Sequence, residues 1–147
     1  MGSDFVDAAW AARHERFEFE FPERTLAGKV ILAPGGSGGL GAATVALLAQ
    51  EGAQVVVGFH RDSARAERLT AALNARGPGR VHCVQGDLRQ PEARNRLMET
   101  AAALTGEIYG LVSFLGDPAR VDFTRLDEEA LQESLAINYV TPLLLAR

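Results

Sequence analysis

Cysteine and lysine each occur once in this chain, as Cys83 and Lys29, and each scarcity excludes something. One cysteine cannot form an intramolecular disulfide. Set in an apolar run, Cys83 reads as a buried small hydrophobe of a reducing compartment. Long apolar runs are also lacking. None approaches the roughly 20 residues needed to cross a bilayer, so no membrane partner is expected. The first residues carry Asp4, Asp7, Glu15 and Glu18 in place of the basic region and apolar core of a secretory signal, and the expected location is the cytoplasm. Basic excess is absent too: the net charge of −4 argues against a nucleic-acid surface. His14, His60 and His82 are too scattered to suggest a metal site or a catalytic triad.

What remains is ordinary for a soluble α/β domain. The 147 residues are 47% hydrophobic and 23% charged, enough for one domain with a real core. The chain is organised around Lys29-Val-Ile-Leu-Ala-Pro-Gly-Gly-Ser-Gly-Gly-Leu-Gly41. An apolar run stops at Pro34 and a burst of glycines, and a helical pattern follows. Strand, glycine turn and helix in that order build a phosphate-binding corner: the glycines let the backbone approach a pyrophosphate, and the first helical N–H groups point at it. Two spacings coexist, Gly36, Gly38 and Gly41 as G-x-G-x-x-G, and Gly35, Gly39 and Gly41 as G-x-x-x-G-x-G. Glycines alone are equally compatible with a loop that binds nothing; the strand before and the helix after favour a nucleotide.

Residues 1–24 read as a separate arm. Phe5, Val6, Ala8, Ala9 and Trp10 suit a short amphipathic helix, and Phe17, Phe19 and Phe21 alternate with Glu18 and Glu20 at strand period. Residues 25–147 read as a dinucleotide-binding domain. Strands are expected at 29–33, 54–58, 80–85 and 108–114. Helices are expected at 39–50, from a Ser63 cap to Gly77-Pro78, from Pro91 to Gly106, and over 127–147. Val55-Val56-Val57 is the continuous apolar run of a parallel strand buried on both faces. Alternating strands and helices predict an α/β, Rossmann-type, doubly wound parallel sheet, its N-terminal half with order 3-2-1-4.

The end of the second strand bears on cofactor choice. An NAD site commonly presents a carboxylate there to the adenosine ribose. This chain has Phe59, His60 and Arg61, with Asp62 further into the loop. A guanidinium pairs with a ribose 2′-phosphate and a protonated histidine assists, so NADP (NADPH) is expected in preference to NAD.

These motifs together resemble the N-terminal, cofactor-binding part of the short-chain dehydrogenase/reductase (SDR) family, over about residues 26–147. The family's T-G-x-x-x-G-x-G is matched by Pro34-Gly35-Gly36-Ser37-Gly38-Gly39-Leu40-Gly41, losing only the threonine. Its Asp-Leu after strand three is Asp87-Leu88, and the Asn of its long interface helix is Asn138 in Ala-Ile-Asn-Tyr-Val. The resemblance implies cofactor contacts from Gly35, Ser37, Gly38, Gly39, Leu40 and Gly41, from His60 and Arg61, from Asp87 and Leu88 beside the adenine, and from Gly116. It implies a catalytic part for Asn138, whose backbone carbonyl holds a water in the family's proton relay. Pro142, lacking an N–H, cannot donate to that carbonyl. It also implies a homodimer or homotetramer formed through the C-terminal helix. No metal is implied.

Two departures stand out. The family's Asn-Asn-Ala-Gly after strand four is Ser113-Phe114-Leu115-Gly116 here, so both amides are gone. The family's Ser and Tyr-x-x-x-Lys are also missing: Tyr109 and Tyr139 are followed four places on by Ser113 and Leu143, and the only lysine is Lys29. The expectation is an incomplete domain, truncated before those residues and inactive alone. Its parent would be an NADP-dependent short-chain oxidoreductase acting on a small carbonyl or alcohol. The alternative is a non-catalytic nucleotide-binding sensor or pseudoenzyme module. A methyltransferase-like fold is disfavoured by the missing acid after strand two.

Overall fold

The computed structural model describes residues 24–105, 108–116 and 122–147. The expected arm lies outside them except for Arg24, as does Gly106. Four strands, β1 (Val30–Pro34), β2 (Gln54–Phe59), β3 (Arg80–Gln85) and β4 (Ile108–Leu111), form one parallel sheet in the order β3-β2-β1-β4. Helices α1 (Gly39–Gln50), α2 (Ser63–Asn74) and α3 (Pro91–Thr105) connect them. A 3-10 turn, Phe123–Arg125, precedes α4 (Glu128–Leu135), a π-helical turn (Ala136–Val140) and α5 (Thr141–Ala146).

Strand periodicity divides the core into two layers. Val30, Leu32 and Val56 face Ala93, Leu97 and Ala101 of α3, with Leu145 of α5. Ile31, Ala33, Val55, Val57 and Val81 face Val45 and Ala49 of α1, and Leu69 and Leu73 of α2 pack against this side. A strand covered on both faces has no polar side, which is why Val55, Val56 and Val57 are all fully buried. Each such side chain contributes about 1.5–3 kcal/mol relative to exposure.

The outer edge of β3 is partly closed by side chains. Asn74 at the end of α2 donates through Nδ2 to the Val81 carbonyl (3.0 Å) and accepts through Oδ1 from the Val81 N–H (2.8 Å). It pairs as a neighbouring strand would. Arg96 reaches the Gln85 carbonyl further along (3.3 Å).

The structure corrects several expected boundaries. Asp62, not Ser63, caps α2, its carboxylate accepting from the Arg65 N–H. The same helix stops at Asn74, short of Gly77-Pro78, as the Ala75, Arg76 and Gly77 N–H groups fold back onto Ala71 and Leu73. β4 ends at Leu111 instead of Phe114, although Val112 and Phe114 still donate to Leu32 and Pro34 at 2.8 Å. Its register against β1 slips between Val30 and Ile31, so that Tyr109 bulges outward. The expected single helix over 127–147 is broken by the π turn. Pro142 cannot continue the ladder, and the N–H and Oγ1 of Thr141 both turn to the Ala136 carbonyl, the latter at 2.7 Å.

Candidate functional site

In a parallel sheet every strand ends at the same side, and chain order reverses here between β1 and β4, which opens a crevice. A cleft of about 650 Å3 occupies that end. Its wall is made by the turn after β1, the end of β2 and the segment that follows it (Gly58–Asp62), Arg65 of α2, Gly86–Arg89 after β3, Phe114–Gly116 after β4, and one side of α4 and the π turn.

The glycine turn is built by backbone contacts. Gly35 has φ +77°, and its N–H donates to the Gly58 carbonyl at 2.8 Å. A side chain there would also collide with the Phe114 carbonyl group, 2.7 Å from a Cβ. Gly41 presses α1 onto the turn, where a Cβ would lie 2.8 Å from Gly36 Cα. Gly39 differs, since among the described residues nothing beyond its chain neighbours and its own helix backbone stands within 4 Å of its Cβ position. Gly38 caps α1 without a side-chain acceptor, and the first turn holds no acid to compete for its N–H groups. This end of the helix is therefore open to an anion.

Of the residues singled out in the sequence, Gly35, Ser37, Gly38, His60, Arg61, Asp87, Leu88 and Gly116 are brought together around the cleft. Gly39, Leu40 and Gly41 are not on its wall: Leu40 is 84% exposed beside it, and Gly41 lies buried behind the turn. Asn138 stands next to Gly116, whose Cβ would come 3.1 Å from its Oδ1. Its Nδ2 donates to the Ser134 carbonyl (2.9 Å) and Oγ (3.2 Å).

Two acidic residues at the cleft are held by arginines that the sequence reading passed over. Asp62 pairs with Arg65 at 2.8 Å. Asp87 is gripped by Arg89, which holds its carboxyl down at about 2, with a smaller contribution from His60. Arg89 also reaches toward Glu133 of α4 at 3.9 Å, and Arg94 fixes the loop by donating to the Leu88 and Arg89 carbonyls. The acid-to-arginine spacings Asp62-x-x-Arg65 and Asp87-x-Arg89 were the available signal. Lys29 and Tyr109 meet at the opposite end of the sheet, the ammonium 4.6 Å from the ring centroid. Among the described residues no group of three or more His, Cys, Asp or Glu could hold a metal, and no helix is long and apolar enough to cross a membrane.

Known proteins share this architecture. A short chain dehydrogenase/reductase of Aspergillus aculeatus is 36% identical over 109 residues, 69% of this chain and 41% of the relative. A dehydrogenase/reductase from Sinorhizobium meliloti superposes with a TM-score of 0.78 at 28% identity, over 85% of this chain and 49% of that one. An L-sorbose reductase from Gluconobacter frateurii, solved with NADPH and L-sorbose, gives 0.77 at 25% identity, over 85% and 47%. The chain thus spans less than half the length of each of these three. A family profile, short chain dehydrogenase, matches residues 29–147. With that match over most of its length, the chain belongs to the short chain dehydrogenase family of oxidoreductases.

Proposed function

We propose that the chain is the NADP(H)-binding portion of a cytoplasmic short-chain oxidoreductase that transfers hydride between nicotinamide and a small carbonyl or alcohol substrate. The observation that carries the cofactor choice is the end of β2. His60 and Arg61 line the cleft there, and the carboxylate that follows them in the chain, Asp62, is engaged as the α2 cap and by Arg65. An acid committed to the helix cap is poorly placed to receive ribose hydroxyls, and a guanidinium suits a 2′-phosphate. The NADPH complex of the similar L-sorbose reductase supports the same choice.

The residues present fit a dinucleotide. The turn at Gly35–Gly38 lets the backbone approach a pyrophosphate without side chains in the way, and the α1 N-terminus, capped at Gly38 without a side-chain acceptor, offers it the first helical N–H groups. Asp87 and Leu88 suit the adenine side, and Gly116 the far wall. A bound nicotinamide supplies the hydride chemistry, and the residues of this chain bind and orient it. Asn138 is the proposed relay residue. Pro142, four residues on, has no N–H with which to make the ordinary helical bond to its carbonyl. In this proposal the Tyr-x-x-x-Lys proton donor belongs to residues outside these 147, because Lys29 and Tyr109 face away from the cleft.

The test is cofactor discrimination. Arg61→Ala is expected to weaken NADPH binding by about 1–3 kcal/mol, the scale of a charge-assisted hydrogen bond, and to leave NADH nearly unchanged. Equal losses for both cofactors in calorimetry overturn the NADP reading.

A further inference from the structure

Arg65, in the first turn of α2, enters the reading above only as the partner of Asp62, yet it lines the same cleft. Asp62 divides two jobs between its oxygens. Oδ1 accepts the Arg65 backbone N–H at 2.9 Å and starts α2, while Oδ2 holds the Arg65 guanidinium at 2.8 Å. The two side chains are 54% and 43% exposed, and an ion pair so solvated is weakly held. The guanidinium can therefore leave Oδ2 while Oδ1 keeps the helix capped. His60 and Arg61 stand on the same wall.

We infer that Arg65 is a second guanidinium for a ribose phosphate monoester, and that Asp62 restrains it, so that the Asp62–Arg65 pair sets the preference for NADPH over NADH. The inference rests on the NADP reading and assigns two further residues to it. A phosphate monoester carries about −1.5 to −2 charge and three acceptor oxygens, more than one arginine can satisfy. Arg65 presents a fork of N–H donors and reaches the cleft from the first turn of α2. The Asp62 carboxylate acts in the opposite direction. It occupies Arg65 in the absence of ligand and repels an incoming phosphate.

The two roles of Asp62 separate in one substitution. Asparagine caps helices as well as aspartate, so Asp62→Asn keeps an acceptor for the Arg65 N–H while removing the charge. Titration calorimetry on the product of the complete reading frame, with adenosine 2′,5′-bisphosphate and adenosine 5′-monophosphate as probes, tests the pair. Arg65→Ala is expected to weaken the bisphosphate about tenfold and leave the monophosphate unchanged. Arg65→Lys recovers part of the loss. Asp62→Asn is expected to tighten the bisphosphate about threefold, and the gain disappears when Arg65→Ala is added. If the wild-type protein prefers the bisphosphate but Arg65→Ala does not lower that preference, this inference fails and the NADP reading stands. If the wild-type protein does not distinguish the probes, both fail.

Discussion

Arg89 straddles Asp87: its Nε lies 3.0 and 3.1 Å from the two carboxylate oxygens, and its Nη2 lies 2.7 Å from Oδ2. The Arg89 backbone N–H adds a fourth bond at 3.0 Å. The Asp87 carboxyl therefore sits at about 2, against its ordinary 3.8. A carboxylate lowered in the folded state stabilises that state above its unfolded pKa and loses the contribution as pH falls through the folded one. The window here runs from about pH 4 down to about pH 2. Arg89→Leu should lower stability at pH 7 by about 1–2 kcal/mol after solvent screening, with the gap closing toward pH 2. Urea unfolding at both pH values checks it. A gap that persists undiminished at pH 2 would mean that Arg89 acts through packing.

Val55-Val56-Val57 announced a strand buried on both faces, the Gly39–Gln50 pattern placed both ends of one helix and Pro91 the start of another, because burial and backbone chemistry are written locally. The cleft followed from topology, since parallel strands deliver Gly35, Arg61, Asp87 and Gly116 to one end. Side-chain partnerships were harder to see. Nothing in the composition says that Asp62 and Asp87 are each held by an arginine, or that Tyr109 bulges outward to meet Lys29. Pro142 signalled a fault in the last helix, but its form depended on Thr141 giving two donors to Ala136.

Gly39 and Gly41 should respond oppositely to substitution. Gly39→Val places a side chain in open space, so the fold should persist while nucleotide binding is lost by obstruction at the turn. Gly41→Ala drives a Cβ to 2.8 Å from Gly36 Cα and 3.0 Å from the Gly35 carbonyl, and should cost about 1–3 kcal/mol of stability. Thermal unfolding and a nucleotide titration separate the two effects. Retained affinity in Gly39→Val would reduce the glycine stretch to a turn.

Asn74 is expected to protect the β3 edge. Asn74→Leu removes both bonds to Val81 and leaves two partly buried backbone groups without that partner, a loss of about 1–3 kcal/mol. The exposed edge should also recruit other chains, so light scattering on mild heating should rise sooner than in the parent. Unchanged stability together with unchanged scattering would count against this role.

Leu145 of α5 packs into the core beneath the sheet. Leu131, Leu135, Leu143 and Leu144 nonetheless remain 42–53% exposed. Among the described residues β4 pairs only with β1, leaving its other edge open. Apolar surface of this kind, joined to an unpaired strand edge, favours association. We propose that a second copy covers α4 and α5 in a homodimer or homotetramer. The 147 residues expressed alone should therefore sediment as dimers or larger species, or require further chain to stay soluble. They should also show no carbonyl-dependent NADPH oxidation. The only lysine is occupied over Tyr109 at the end of the sheet away from the cleft, which leaves no Tyr–Lys pair to deliver a proton. A soluble, cooperatively folding monomer in sedimentation would defeat the assembly proposal, and measurable turnover would defeat the assignment of the proton donor.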